Sequence, residues 1–191
     1  MKITFKGKEV KLVGTPPAVG EEMPNFTVLD KNNQEFTKSD LLGNFSLISV
    51  VPNINTPVCS IQTKTFNKAM DKFPEINFLT ISTNTIEDQQ TWCAAEDVKN
   101  MKLMSDKNLS FGKATGLLIP EFGILARSVW VLDPNCKILY RELVDEITHE
   151  PNYDAVLNEL KQLHWDYKMV LYLHQNQSIE KEEPLTQFLK S

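Results

Sequence analysis

Residues 45–70 read FSLISVVPNINTPVCSIQTKTFNKAM. The first seven form a short apolar, β-branched run closed by Pro52, which predicts a strand buried on both faces. After Cys59, Phe66, Ala69, Met70 and Phe73 recur at three- and four-residue steps, while Gln62, Lys64, Asn67, Lys68 and Lys72 are polar. That spacing predicts an amphipathic helix with its polar side in water. Cys59 is therefore expected in the first turn of a helix that follows a buried strand.

A helix N-terminus offers free backbone N–H groups and the positive end of the macrodipole, and both favour a thiolate over a thiol. On this ground Cys59 is a candidate nucleophile. A small buried hydrophobe on a core helix is the competing reading, and one cysteine alone does not decide between them.

Working outward, 191 residues suit one domain able to bury roughly 70% of its unfolded surface without staples. The net charge of −5 comes from interspersed acids and bases, not blocks, which argues against a nucleic-acid or anionic-membrane surface. The start MKITFKGKEVKLVG alternates charge and apolarity, unlike a secretion signal, and no apolar run approaches ~18 residues. The expectation is a cytoplasmic protein. Three cysteines are too few for a disulfide scaffold and lack the close pairing of a zinc site, which leaves redox or catalytic use of one pair open.

Along the chain, residues 1–5 and 10–13 alternate around Lys6-Gly7-Lys8 and predict an N-terminal β-hairpin. Residues 26–29 and 35–37 read as short strands, with a helical turn over 39–42 ended by Gly43. Residues 76–82, INFLTIS, predict a second buried strand. Asn84, with Glu87 three residues on, offers a cap for a helix running towards Asn100. Residues 128–133 and 137–144 flank Pro134-Asn135 as a hairpin, and Tyr153, Val156, Leu157, Leu160 and Leu163 mark one face of a final helix. Two β-α units, a hairpin and a helix make a thioredoxin-like α/β arrangement: a central mixed sheet flanked by helices, with the extra N-terminal hairpin. No glycine-rich loop suggests a nucleotide.

Pro52, Thr56 and Cys59 spell P-x-x-x-T-x-x-C at the predicted strand-to-helix join. This resembles the active-site motif of peroxiredoxins. The resemblance implies that Cys59 attacks the peroxide O–O bond, that the Thr56 hydroxyl bonds thiolate and peroxide, and that Pro52 shields the sulfur. Such an attack independently calls for a desolvated thiolate, a group that fixes the peroxide, and positive charge for the departing oxygen.

Cys93 follows Cys59 by 93 − 59 = 34 residues, in TWCAAEDV on the next predicted helix. This placement resembles the thiol peroxidase subfamily, the atypical two-cysteine peroxiredoxins, and implies that Cys93 resolves the Cys59 sulfenic acid as an intrasubunit disulfide. Packing beside Trp92 is the alternative. The stretch GILARSV resembles the subfamily segment that carries the active-site arginine, here Arg127, one of two arginines among twenty basic residues. An arginine stays charged when buried and forks two hydrogen bonds, although a surface ion pair would use the same residue. Arg141 reads as structural. Cys136, in the turn DPNC, reads as incidental, and His149, His164 and His174 show no pairing with Cys59.

The resemblance covers about residues 1–163 and implies a peroxidase acting on hydrogen peroxide and organic hydroperoxides, regenerated by thioredoxin, in a homodimer, with no metal or cofactor. Asn55 and Pro57 stand where acidic and glycine residues are common in the subfamily. A proline two residues before the nucleophile suits a first helical turn but opposes unwinding. The domain is taken as residues 1–164, with 165–191 as an extension. In it Tyr167, Val170, Leu171 and His174 prolong the last helix, residues 175–184 form a loop, and 185–189 offer a short docking helix. Two rivals remain: a non-catalytic redox sensor using the same disulfide, and a thioredoxin-type oxidoreductase, which would usually need C-x-x-C where Cys59 is followed by Ser60, Ile61 and Gln62.

Overall fold

A computed structural model of the chain describes residues 2–96 and 101–179. Strands β1 (Ile3–Phe5) and β2 (Lys8–Val10) pair antiparallel around Lys6-Gly7. Both turn residues have positive φ, 51° and 77°, as a two-residue hairpin turn with the right twist requires. The hairpin is therefore tighter than the sequence suggested, and its second strand starts at Lys8, ahead of Val10.

Next come β3 (Thr27–Leu29), β4 (Glu35–Thr37), a 3-10 turn over Lys38–Leu41, and β5 (Ser46–Val50). Helix α1 (Pro57–Met70) leads to β6 (Asn77–Ser82), α2 (Ile86–Glu96) and β7 (Lys102–Ser105). A short helix α3 (Ser110–Ala114), a small hairpin β8 (Leu118–Ile119) and β9 (Ile124–Leu125), strands β10 (Ser128–Leu132) and β11 (Ile138–Leu143), and helix α4 (Tyr153–Ile179) complete the order.

Seven strands form one mixed sheet in the order β11-β10-β5-β6-β7-β3-β4. The β5, β6 and β7 strands are parallel, each linked to the next through a helix, and β10 joins β5 antiparallel. This is the thioredoxin-like architecture with its N-terminal hairpin. Every residue of β5 is buried, because helices or loops cover both faces. Alternation along the strands sorts the core into two layers. Leu47, Val129 and Val131 pack with Phe66 of α1 and with Val156 and Leu160 of α4. Ile48, Val50, Trp130 and Leu132 face the opposite layer with Phe111, Leu117 and Ile119.

The β7, α3 and β8–β9 elements were not read from the sequence. Asn84 was expected to cap α2, but the Asp88 amide bonds the Thr85 hydroxyl instead, at 3.2 Å. The predicted end of that helix near Asn100 lies outside the described residues. Helix α4 continues through residues 175–179, where a loop was expected, since no glycine or proline interrupts it there. Residues 180–191, including the expected docking helix, lie outside the described residues. Past Leu163 the helix leaves the core, with Trp165 69%, Met169 57% and Tyr172 62% exposed.

Candidate active site

The register of β10 on β5 carries Arg127 to Cys59. Ser128 pairs with Val50, so Arg127 stands at the level where β5 ends and the PNINTPVC segment begins. Side chains alternate along β10, and Val129 and Val131 face α1 and α4, so Arg127 projects to the same side. There it is 2% exposed and donates three hydrogen bonds. Its Nη2 reaches Cys59 Sγ at 3.2 Å, Nη1 reaches Gln62 Oε1 at 2.7 Å, and Nε reaches the Ile147 carbonyl at 2.8 Å. A buried cation needs compensation, and two of these acceptors are neutral oxygens. Of the three, Cys59 is the acceptor that can bear a negative charge.

Cys59 lies in the first turn of α1, fully buried with Val51, Ile54, Trp92 and Leu103. The helix begins after Thr56, whose φ and ψ of −91° and 150° are extended, and Pro57 occupies the first helical position. There Pro57 lacks only an N–H that the helix would leave unpaired. The Thr56 hydroxyl makes no cap bond to the helix amides and donates instead to the Asn53 carbonyl at 3.0 Å. Its lone pairs remain available to accept an O–H. Pro52 is buried directly after Val51, whose amide extends the β5–β6 pairing to Ile81.

Cys93, two turns into α2, is partly exposed and packs against the cluster that holds Cys59, without a disulfide between them. Burial pushes its thiol up from the ordinary value, against the pull of the Lys31 charge. Cys136 is buried, its thiol directed at the Lys38 carbonyl and pushed up by burial, away from the Cys59 cluster. Arg141 binds the Pro16 and Pro17 carbonyls and is structural. His164 contacts Glu75.

Sequence reasoning placed Gln62 on the solvent side of α1, and this is corrected here: Gln62 is fully buried. It accepts from Arg127 and donates to Ser49 Oγ at 2.8 Å, joining α1 to β5 beneath the site. The signal was present, because 59, 62 and 66 follow the three-and-four spacing of the inward face. Asn84 was also missed. Its side chain accepts from the Ile54 amide at 2.8 Å and donates to Asn53 Oδ1 at 3.0 Å.

Residues 18–157 match the Redoxin family. Over 163 residues the chain is 42% identical to a thiol peroxidase of Bacillus subtilis, covering 85% of this chain and 98% of that protein. Over 161 residues it is 44% identical to a thiol peroxidase of Listeria innocua, covering 84% and 98%. The chain is a thiol peroxidase of the Redoxin family.

Solved structures agree with this thiol peroxidase in shape. A peroxiredoxin-like protein from Aquifex aeolicus superposes with a TM-score of 0.78 at 34% identity, over 85% of this chain and 96% of that one. A thiol peroxidase from Chromobacterium violaceum shares the fold at 16% identity, again with a TM-score of 0.78, over 86% and 98%. The family match and the relatives at 42% and 44% identity make the chain a peroxiredoxin-type enzyme with thiol-dependent peroxidase activity. Among its described residues, no group of three or more His, Cys, Asp and Glu side chains is arranged to hold a metal, and no helix is long and apolar enough to cross a membrane.

Proposed function

We propose that the enzyme reduces hydrogen peroxide and organic hydroperoxides through Cys59, with Cys93 as resolving thiol in the same subunit and a thioredoxin-type dithiol as reductant. The observation that carries this reading is the Arg127 guanidinium 3.2 Å from a fully buried Cys59 sulfur. A desolvated site with a fixed cation on the nucleophile is what attack on an O–O bond needs.

The Cys59 thiolate attacks the nearer peroxide oxygen. The O–O bond breaks, the distal oxygen leaves with its electron pair and takes a proton, and Cys59 becomes a sulfenic acid. Thr56, its own proton engaged by Asn53, accepts the peroxide O–H and so orients the molecule. Arg127 stabilises the charge spread over sulfur and oxygen, and Pro52 keeps water out. The Cys93 sulfur then attacks the Cys59 sulfur, hydroxide leaves and takes the Cys93 proton as water, and a disulfide forms. Two electrons from the dithiol return both thiols and leave the reductant oxidised. The shared apolar cluster of Cys59 and Cys93 supports their pairing, and the reading takes the Cys59 loop and part of α2 to unwind as the disulfide, which requires Cα atoms within ~7 Å, forms.

The same reading takes the enzyme as a cytoplasmic homodimer, with residues 1–164 as the peroxidase domain and 165–191 as an addition to it. A redox-sensor role without turnover has no observation in its favour.

The test adds one equivalent of hydrogen peroxide to reduced wild type, Cys59→Ser and Cys93→Ser, followed by peptide-mapped mass spectrometry. The expected products are a Cys59–Cys93 disulfide in wild type and a Cys59 sulfenic acid in Cys93→Ser. An unmodified Cys59 in wild type would sink the reading.

A further inference from the structure

Cys59 and Cys93 stand on separate helices, and one side chain ties the segments ahead of both. Asn84 lies between β6 and α2, the helix that carries Cys93. Its amide oxygen accepts from the Ile54 N–H at 2.8 Å, and its amide nitrogen donates to Asn53 Oδ1 at 3.0 Å. Its own carbonyl accepts from Ser105 Oγ at 2.6 Å, which fixes Asn84 to the end of β7. Gln89, one turn into α2, adds bonds to Ser82 Oγ at 3.1 Å and the Met104 carbonyl at 2.9 Å. The ground on the β6–α2 side is therefore firm.

The loop side depends on that ground. Asn53 Oδ1 also accepts from the Asn55 amide at 3.0 Å. The Asn53 carbonyl takes both the Thr56 amide, at 3.1 Å, and the Thr56 hydroxyl, at 3.0 Å. The direction of the Thr56 hydroxyl is thus set by Asn53, and Asn53 is held by Asn84. Only an amide of this length both accepts from Ile54 and donates to Asn53. Aspartate has no donor, and serine is too short.

We propose that Asn84 is a positioning residue for both halves of the reaction, a latch that holds residues 53–56 in the arrangement that reacts with peroxide and that must open before Cys59 meets Cys93. This rests on the Cys59–Cys93 mechanism proposed above. Closed, the latch aims Thr56 and keeps Cys59 in its buried cluster. Open, it frees the segment leading into α1 while Gln89 retains the start of α2, so the unwinding falls on the Cys59 side and on α2 beyond Gln89. The two steps then respond to Asn84 with opposite signs.

The test uses the full-length reduced protein and stoichiometric hydrogen peroxide, with rapid quenching and mass spectrometry to time Cys59 sulfenic acid and Cys59–Cys93 disulfide separately. In Asn84→Ala the peroxide step is expected to slow about tenfold, the scale of one or two net hydrogen bonds, while the step from sulfenic acid to disulfide speeds up. Asn84→Asp keeps the acceptor for Ile54 but sets a carboxylate oxygen against Asn53 Oδ1, and should shift both steps in the same directions. Asn53→Ala reads the same contact from the loop side, and the double variant with Asn84→Ala should be no slower towards peroxide than the slower single variant. Both steps at wild-type rates, or both slowed together, in these variants would overturn the latch while leaving the peroxidase mechanism intact. A wild type that forms no Cys59 sulfenic acid would overturn that mechanism and the latch with it.

Discussion

Nη2 of Arg127 donates to Sγ of Cys59 at 3.2 Å, across 68 residues of sequence, and the same guanidinium is pinned by Gln62 and Ile147. Three bonds in one plane fix the cation on the sulfur. In Arg127→Lys, a single ammonium cannot serve three acceptors arranged for a fork. Oxidation of Cys59 by hydrogen peroxide is expected to slow by ~10²-fold or more, the scale of a lost oxyanion donor. Stopped-flow peroxide consumption gives the number, and a wild-type rate would remove Arg127 from the mechanism.

Gln62 couples this arginine to the sheet. Gln62→Leu fills similar space but leaves Ser49 Oγ and one guanidinium nitrogen without their partner. A buried group stranded in this way costs ~1–3 kcal/mol, so the urea midpoint should fall. The peroxide step should slow as well, because Arg127 is then held at two points instead of three. An unchanged midpoint would mean that water or a neighbour replaces the amide.

For Thr56 the hydroxyl is the issue and the methyl is not. Thr56→Val should lower peroxide reactivity by ~10²-fold, whereas Thr56→Ser, which keeps the bond to Asn53, should stay within about tenfold of wild type. Comparable losses in both variants would assign the effect to packing at the helix start.

Glu146 makes a prediction about acid. Burial opposes its ionisation, yet the Gly7 amide, the Thr148 and Thr4 hydroxyls and the Lys6 amide pull it down from 4.5 to about 2. A carboxylate with a lowered folded value stabilises above its unfolded value and loses that contribution as pH falls through the folded one. Wild type should therefore exceed Glu146→Gln in unfolding free energy at pH 7, and the gap should close between about pH 4.5 and about pH 2. Denaturant curves at several pH values measure it, and a pH-independent gap would detach the effect from ionisation. Amides of β1 and β2 should lose exchange protection over the same range, since Glu146 holds their turn.

The parts of this fold legible in the sequence are those in which local pattern and tertiary burial agree. β5 announces itself as an apolar run, and α1 and the first half of α4 as apolar stripes. β7 is only four residues, and its strand character comes from β6 on one side and β3 on the other, which no local pattern contains. Helix α3 opens after Leu109 in a left-handed conformation that its sequence does not advertise, with the Asp106 carboxylate accepting the Phe111 and Gly112 amides. For the site, a motif and a stretch of resemblance pointed to Pro52, Thr56, Cys59, Cys93 and Arg127, and of these the structure joins Arg127 to Cys59 by a hydrogen bond and packs Cys93 against the Cys59 cluster. Gln62 had only its place on the inward spacing of α1 to mark it, and Asn84 had no local mark of its tie to the loop at all. A buried amide looks like a surface amide until the arginine or loop that satisfies it is in place.

The chain has three tryptophans, and the fold gives each a different surrounding. Trp130 is sealed in the core with its indole N–H on Ser128 Oγ, and Trp165 stands open on α4. Trp92 is packed in the cluster that holds Cys59 and against which Cys93 rests. A water-soluble quencher therefore silences Trp165 first and leaves Trp130 as a steady background. Trp92, packed beside both sulfurs, is the tryptophan whose emission is expected to follow their oxidation, so the chain carries its own optical reporter without any added dye.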